Sequence, residues 1–131
     1  MVSEREFSGS LFHGLQDLST TVNVPANSEV FISTDGGIGT TSNSSTGFSI
    51  VDVIIGVDDQ VAQFRRVIAA NTTGLTNMIA YWSFAVSRTL TAGQHTIEVA
   101  AKSGGFSSDA TVSGDGSSVL QGQLTVMIIN K

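Results

Sequence analysis

The stretch Phe48-Ser49-Ile50-Val51-Asp52-Val53-Ile54-Ile55-Gly56-Val57 decides the fold. Val51, Val53, Ile55 and Val57 recur at every second position, the period at which a strand presents one face. The opposite face mixes Ile50, Asp52, Ile54 and Gly56, so the strand has one dry face and one mixed face. Asp58-Asp59 follows, and Asp favours turns because its short carboxylate bonds nearby backbone amides. Residues 61–69 then read as the returning strand of a hairpin.

The same period recurs outward from this hairpin. Over 79–88, Trp82, Phe84 and Val86 share one face. Over 94–101, His95, Ile97, Val99 and Ala101 alternate with Gln94, Thr96, Glu98 and Ala100. The last strand spans about 119–129, with Leu120, Gly122, Leu124, Val126 and Ile128 facing inward. Its outward face carries Gln121, Gln123 and Thr125, but also Met127 and Ile129. Shorter strands are expected at 21–24, 29–34 and 110–113. Asp35-Gly36-Gly37-Ile38-Gly39 reads as the start of a polar loop running to Gly47, and residues 71–74, 103–108 and 114–118 as further loops. Phe7, Leu11, Leu15 and Leu18 have helix-like spacing broken by Gly9 and Gly14. That predicts an N-terminal arm or short helix over residues 1–18, ahead of a single domain over 19–131. Seven to eight strands with Gly-rich connections and no long helix predict an all-β fold, an antiparallel β-sandwich or jelly roll of about eight strands.

Composition narrows the function classes. The 131 residues make one domain. Only 13% are charged, which excludes a coiled coil or a charged helical bundle, and 40% are hydrophobic, which excludes a disordered chain. The net charge is −5 and the six basic residues are scattered, so no stripe exists to neutralise phosphates and nucleic acid is not an expected partner. No polybasic segment and no apolar run of about 20 residues is present, so no membrane partner is expected. Met1-Val2-Ser3-Glu4-Arg5-Glu6 lacks an apolar h-region, so no secretory leader is expected. The absence of Cys removes thiolate catalysis and Cys-ligated metals.

Catalytic patterns are missing. The nearest approach to a nucleophile elbow, Gly47-Phe48-Ser49-Ile50-Val51, lacks its last Gly. His95 shares a strand face with Ile97 and Val99 and reads as a core or interface histidine. A retaining glycosidase needs two carboxylates about 5–5.5 Å apart. Asp58 and Asp59 point apart from adjacent positions, while Asp52 and Glu98 lie singly on separate strands. His13 and His95 lack a third zinc ligand, and the Asp35 and Asp115 loops lack the ligand density of calcium sites. No catalytic residue, metal or cofactor is therefore expected. Tyr81 points away from Trp82 and offers a ring on which a sugar can stack; with Asn71 and Asn77 it makes a candidate ligand contact.

Leu90-Thr91-Ala92-Gly93-Gln94-His95-Thr96-Ile97-Glu98-Val99 resembles a turn-and-strand phrase of bacterial and phage jelly rolls. Ser117-Ser118-Val119-Leu120-Gln121-Gly122-Gln123-Leu124-Thr125-Val126 resembles the last strand of trimeric heads, the tumour-necrosis-factor-like and complement-type globular domains. The resemblance implies a compact homotrimer used for assembly or attachment. The resulting expectation is a non-enzymatic structural protein that decorates or cements a larger assembly such as a capsid shell or fibre. Its place would be a virion surface, assembled in a bacterial cytoplasm, or alternatively the extracellular space or a cell surface. Met127, Ile129, Ile50 and Ile54 are the expected subunit contacts. Phe7, Leu11, Phe12 and Leu15 are the expected docking arm. A carbohydrate- or receptor-binding module, with a glycan as partner, is the alternative.

Overall fold

The computed structural model describes residues 4–105, 107–112 and 120–130, apart from the Gln16 side chain. The loop over 114–118, with Asp115, lies outside them. Nine strands and no helix occur among the described residues: β1 Glu4–Phe7, β2 Ser10–Val24, β3 Ser28–Thr40, β4 Phe48–Val57, β5 Gln60–Ala70, β6 Ile79–Thr89, β7 Gly93–Ser103, β8 Ala110–Val112 and β9 Gln123–Asn130. Sheet A has the order β1-β2-β7-β4-β5. In sheet B, β3 is flanked by β6 on one edge and by β9 and β8 in succession on the other. Every pairing is antiparallel. β4/β5, β3/β6 and β2/β7 are nested pairs of one long hairpin wound across the two sheets, which is jelly-roll-like connectivity.

The core lies where the alternation places it. Val53, Ile55, Ile97 and Val99 from sheet A meet Val30, Ile32 and Ile38 from sheet B, all fully buried. Each such side chain contributes about 1.5–3 kcal/mol by leaving water. Trp82 is buried among them and its indole N–H donates to Thr34 Oγ1 at 3.2 Å, so no donor is orphaned. The β4–β5 turn is a two-residue loop in which Asp58 and Asp59 take φ of 50° and 65°. Positive φ at both positions matches the right-handed twist of the flanking strands.

The N-terminal segment departs from its helical spacing. Its described part is the β1–β2 hairpin, closed by Ser8 and Gly9, both with positive φ. Between Gly14 and Ser19 the register against β7 shifts: β2 advances five residues while β7 advances two, from Ala100 to Glu98. The three extra residues form a bulge that lets Leu15 and Leu18 both enter the core. Spacing that mimics a helix is here a strand with an insertion.

The hairpin is not an extended arm. Sheet A curls at this edge, so that the hairpin lies back over the mixed face of β4. Phe7 is 1% exposed and packs edge-on to Phe12, with ring centroids 6.0 Å apart. Both rings lie with Ile54 and Ala100. Gly56 makes the approach possible: a Cβ there would stand 2.7 Å from the Phe7 ring. The hairpin tip is tied to the β4–β5 turn, with Ser8 N–H donating to Asp59 O at 3.0 Å and Val61 N–H to Ser8 Oγ at 2.8 Å.

Residues 35–39 are also not a loop but the second half of β3. Their glycines serve close approach rather than a turn. A Cβ on Gly37 would meet the Tyr81 ring at 2.9 Å and Leu120 at 3.1 Å, so both side chains lie flat across β3.

Candidate assembly interface

The outer face of sheet B is built by alternation on three strands. β6 contributes Ile79, Tyr81, Ser83, Ala85 and Ser87. β3 contributes Glu29, Phe31, Ser33 and Asp35, and β9 contributes Gln123, Thr125, Met127 and Ile129. The register sets Phe31 between Ser87 and Met127, with Glu29 beside Ile129. Met127 is 54% exposed and Ile129 45%, and Phe31 stands exposed beside them. Among the described residues this face carries only two charges, Glu29 and Asp35, and no cation. The face ends on an open edge, because β9 pairs only with β3 among the described residues. Residues 123–130 include no charge, proline or glycine to protect that edge. Leu124, Val126 and Ile128 pack against the core yet stay half-exposed on this edge strand.

The other expected subunit contacts are covered by their own chain. Ile54 is buried beneath Phe7 and Phe12. Ile50 is half-covered by the segment after β7: Gly104 N–H donates to Ile50 O at 2.8 Å, and a Cβ on Gly104 would meet Ile50 Cγ2 at 2.7 Å. Of the expected docking arm, Phe7, Phe12 and Leu15 are buried internally, and only Leu11 projects into solvent. A β-branched or aromatic residue on a mixed face marks a neighbour, but the neighbour here is the chain's own hairpin.

The expected ligand contacts separate. Asn71 is buried, its amide donates to Ser42 O and Ser44 O at 2.9 Å each, and its Oδ1 accepts from Met78 N–H at 3.1 Å. It holds loop to loop and offers nothing outward. Asn77 is exposed, with its amide 3.4 Å from Ser42 O. Tyr81 is 65% exposed, its ring resting on Gly37.

The polar groups weighed for chemistry are held in pairs. Asp52 sits four positions along from the residue opposite Glu98, because Asp52 faces Lys102 and Gly56 faces Glu98. That offset is about 13 Å along the strand, too far for either glycosidase geometry. Arg66 grips Asp52 through two bonds, 2.7 and 3.0 Å. Arg5 pairs with Glu98, reaches within 3.4 Å of Asp59 and covers the Phe7 ring at 5.0 Å. His13 faces Ala101, six residues along β7 from His95, so the two imidazoles stand about 20 Å apart and cannot share a metal. Among the described residues no group of three or more potential ligating side chains exists.

His95 occupies a cluster that sequence reasoning did not assemble. Its Nδ1 lies 2.6 Å from Asp58 Oδ2 and its Nε2 lies 2.8 Å from the Thr91 carbonyl. Nε2 also has the Thr91 hydroxyl at 3.3 Å, so both the neutral ring and the imidazolium find partners, and the Asp58 carboxylate favours the charged form. Asp58 Oδ1 also accepts from Thr96 N–H at 2.8 Å, which locks the strained turn onto β7. The Asp58 bond, aided by the Thr91 carbonyl and opposed by burial, raises the His95 pKa above its ordinary 6.5. Burial pushes Asp58 up, but the bonds from His95 and Thr96 outweigh it and hold the carboxyl below 3.8.

These shifts set a pH dependence. A raised histidine pKa stabilises fully below about 6.5 and its contribution is lost as pH rises through the higher folded value. A depressed aspartate stabilises above about 3.8 and its contribution is lost as pH falls through the lower folded value. The urea midpoint is therefore expected to fall between about pH 6 and pH 8.5 by more in the wild type than in His95→Asn. Parallel profiles for the two proteins would remove the ion pair from the account.

No protein-family model and no curated protein matches the chain. The fold class is that of an all-β antiparallel sandwich, and functional argument rests on the surfaces just described.

Proposed function

We propose that the chain is a non-enzymatic structural protein that associates as a homotrimer through the outer face of sheet B and decorates or cements a larger assembly, such as a bacteriophage capsid or appendage. One observation carries the reading: a sheet face that is nearly uncharged among the described residues, bears Phe31, Met127 and Ile129, and ends in an edge strand that no described residue covers. Native proteins shield such edges with charge, proline, bulges or a covering element. A chain of net charge −5 approaches its copies with least repulsion where its charges are fewest. The engagement of His95, Asp52 and Glu98 in fixed pairs favours structure over catalysis. Light scattering on a sizing column tests the reading: a mass near three subunits is expected, and a clean monomer at high concentration overturns it.

Carbohydrate binding remains the second reading, because Tyr81 is an exposed aromatic ring backed by a glycine floor. Such a fixed flat surface suits stacking on a pyranose. Glycan-array signals lost in Tyr81→Ala would favour it; a blank array at high protein concentration would dismiss it.

A further inference from the structure

Two open sheet edges meet along one side of the sandwich. β5 ends sheet A and β6 ends sheet B, and neither pairs with another strand there among the described residues. A cleft of about 360 Å³ runs between them, lined by residues 65–68 and 80–83. Arg88 Nη2 donates to Ala62 O at one end and holds the two strands together. The other open edge of sheet A, β1, is four residues long and carries Glu4, Arg5 and Glu6, which guard it.

The chemistry of the cleft is specific. Arg66 is neutralised by Asp52. Arg65 makes no ion pair among the described residues. Its guanidinium lies 5.6 Å from the Phe84 ring centroid and donates to Phe64 O at 2.8 Å, so a free cation is fixed on the wall. Ile68 on the β5 side and Tyr81 on the β6 side line the cleft and stand exposed. A strand edge recognises an extended backbone, apolar side chains recognise alternate residues, and a fixed guanidinium recognises a carboxylate.

We propose that the β5–β6 cleft binds an extended peptide segment of a partner protein, which presents an aspartate or glutamate to Arg65 and apolar side chains at alternate positions. The inference rests on the assembly reading for the partner's identity: a decorating subunit needs a grip on its shell, and the N-terminal hairpin is folded onto its own sheet. Charge complementarity calls for an acid opposite Arg65, and in the proposed assembly the acids of a second copy's sheet B face, Glu29 and Asp35, are engaged in the contact that covers Met127, so the acid comes from another chain.

The test is selection of yeast-displayed random octapeptides on the intact protein. Enriched peptides are expected to place one acid among β-branched or aromatic residues. A fluorescein-labelled enriched peptide is expected to bind about tenfold or more weakly to Arg65→Glu and to Arg65→Gln, and less tightly to Tyr81→Ser. Circular dichroism confirms that each variant is folded. The oligomeric mass is expected to be the same in wild type and Arg65→Glu, which separates this proposal from the assembly reading. No enrichment, enrichment without acids, or equal binding by the Arg65 variants overturns it. A lowered mass in Arg65→Glu also overturns it, by showing the cleft to be a contact between copies. A monomeric wild type that still binds acidic peptides through Arg65 sinks the assembly reading alone.

Discussion

Phe7→Ala is expected to cost about 3–5 kcal/mol of folding stability, read as a large fall in the urea midpoint. The ring is buried, packs edge-on to Phe12 and lies over Gly56, where no side chain would fill the space it leaves. Arg5 loses the ring it covers and keeps only its pairing with Glu98 and Asp59. Ile54 and Ala100, fully covered by the hairpin, become open to water. The bonds of Ser8, its N–H to Asp59 O and its Oγ from Val61 N–H, are too few to hold the hairpin tip without its aromatic anchor. Leu11→Ala on the exposed side of the same hairpin is expected to change stability by less than about 0.5 kcal/mol. The contrast decides between two roles for the segment. An arm that docks on a neighbour keeps its aromatic residues free in the isolated chain, so Phe7→Ala would leave the midpoint where it was.

What the sequence could express was the local period. Val51, Val53, Ile55 and Val57 name the dry face of β4 directly, and Trp82, Phe84 and Val86 name that of β6, because two sheets packed face to face need one dry side per strand. Misreadings arose where tertiary contact replaced local rule. Gly37 and Gly39 look like loop residues until Leu120, far along the chain, is seen lying across both and Tyr81 across Gly37. Leu15 and Leu18 look helical because a bulge inserts three residues into a strand. Ile54 on a mixed face signalled a covering partner correctly in kind, but the sequence cannot say whether that partner is a second copy or residues 4–13 of the same chain. The Asp58–His95 pair joins residues of two neighbouring hairpin ends, and its only sequence trace is an Asp-Asp turn needing positive φ at both positions. The outward placing of Met127 and Ile129 was legible because nothing among the described residues lies over them, so the alternation and the exposure agree.

If the proposed trimer forms through sheet B, Met127→Asp combined with Ile129→Asp is expected to convert it to monomers while leaving the fold intact. Both side chains stand on the outer face of β9, and the inner row of Leu124, Val126 and Ile128 is untouched by the change. Association removes two large apolar side chains per subunit from water, and the variant places two carboxylates in their positions beside Glu29. Loss of the apolar burial alone amounts to about 3 kcal/mol per subunit, roughly a hundredfold in dissociation constant. Desolvating the new carboxylates without a cation opposite adds several kcal/mol more, and among the described residues the face supplies no lysine or arginine to meet them. The mass from light scattering is therefore expected to fall from three subunits to one across the working concentration range. Val126→Asp is the contrasting variant: it sets a charge against the core and is expected to unfold the chain, seen as loss of the β-sheet dichroism. If the double variant kept the wild-type mass and midpoint, the contact between copies would have to lie off the face of sheet B.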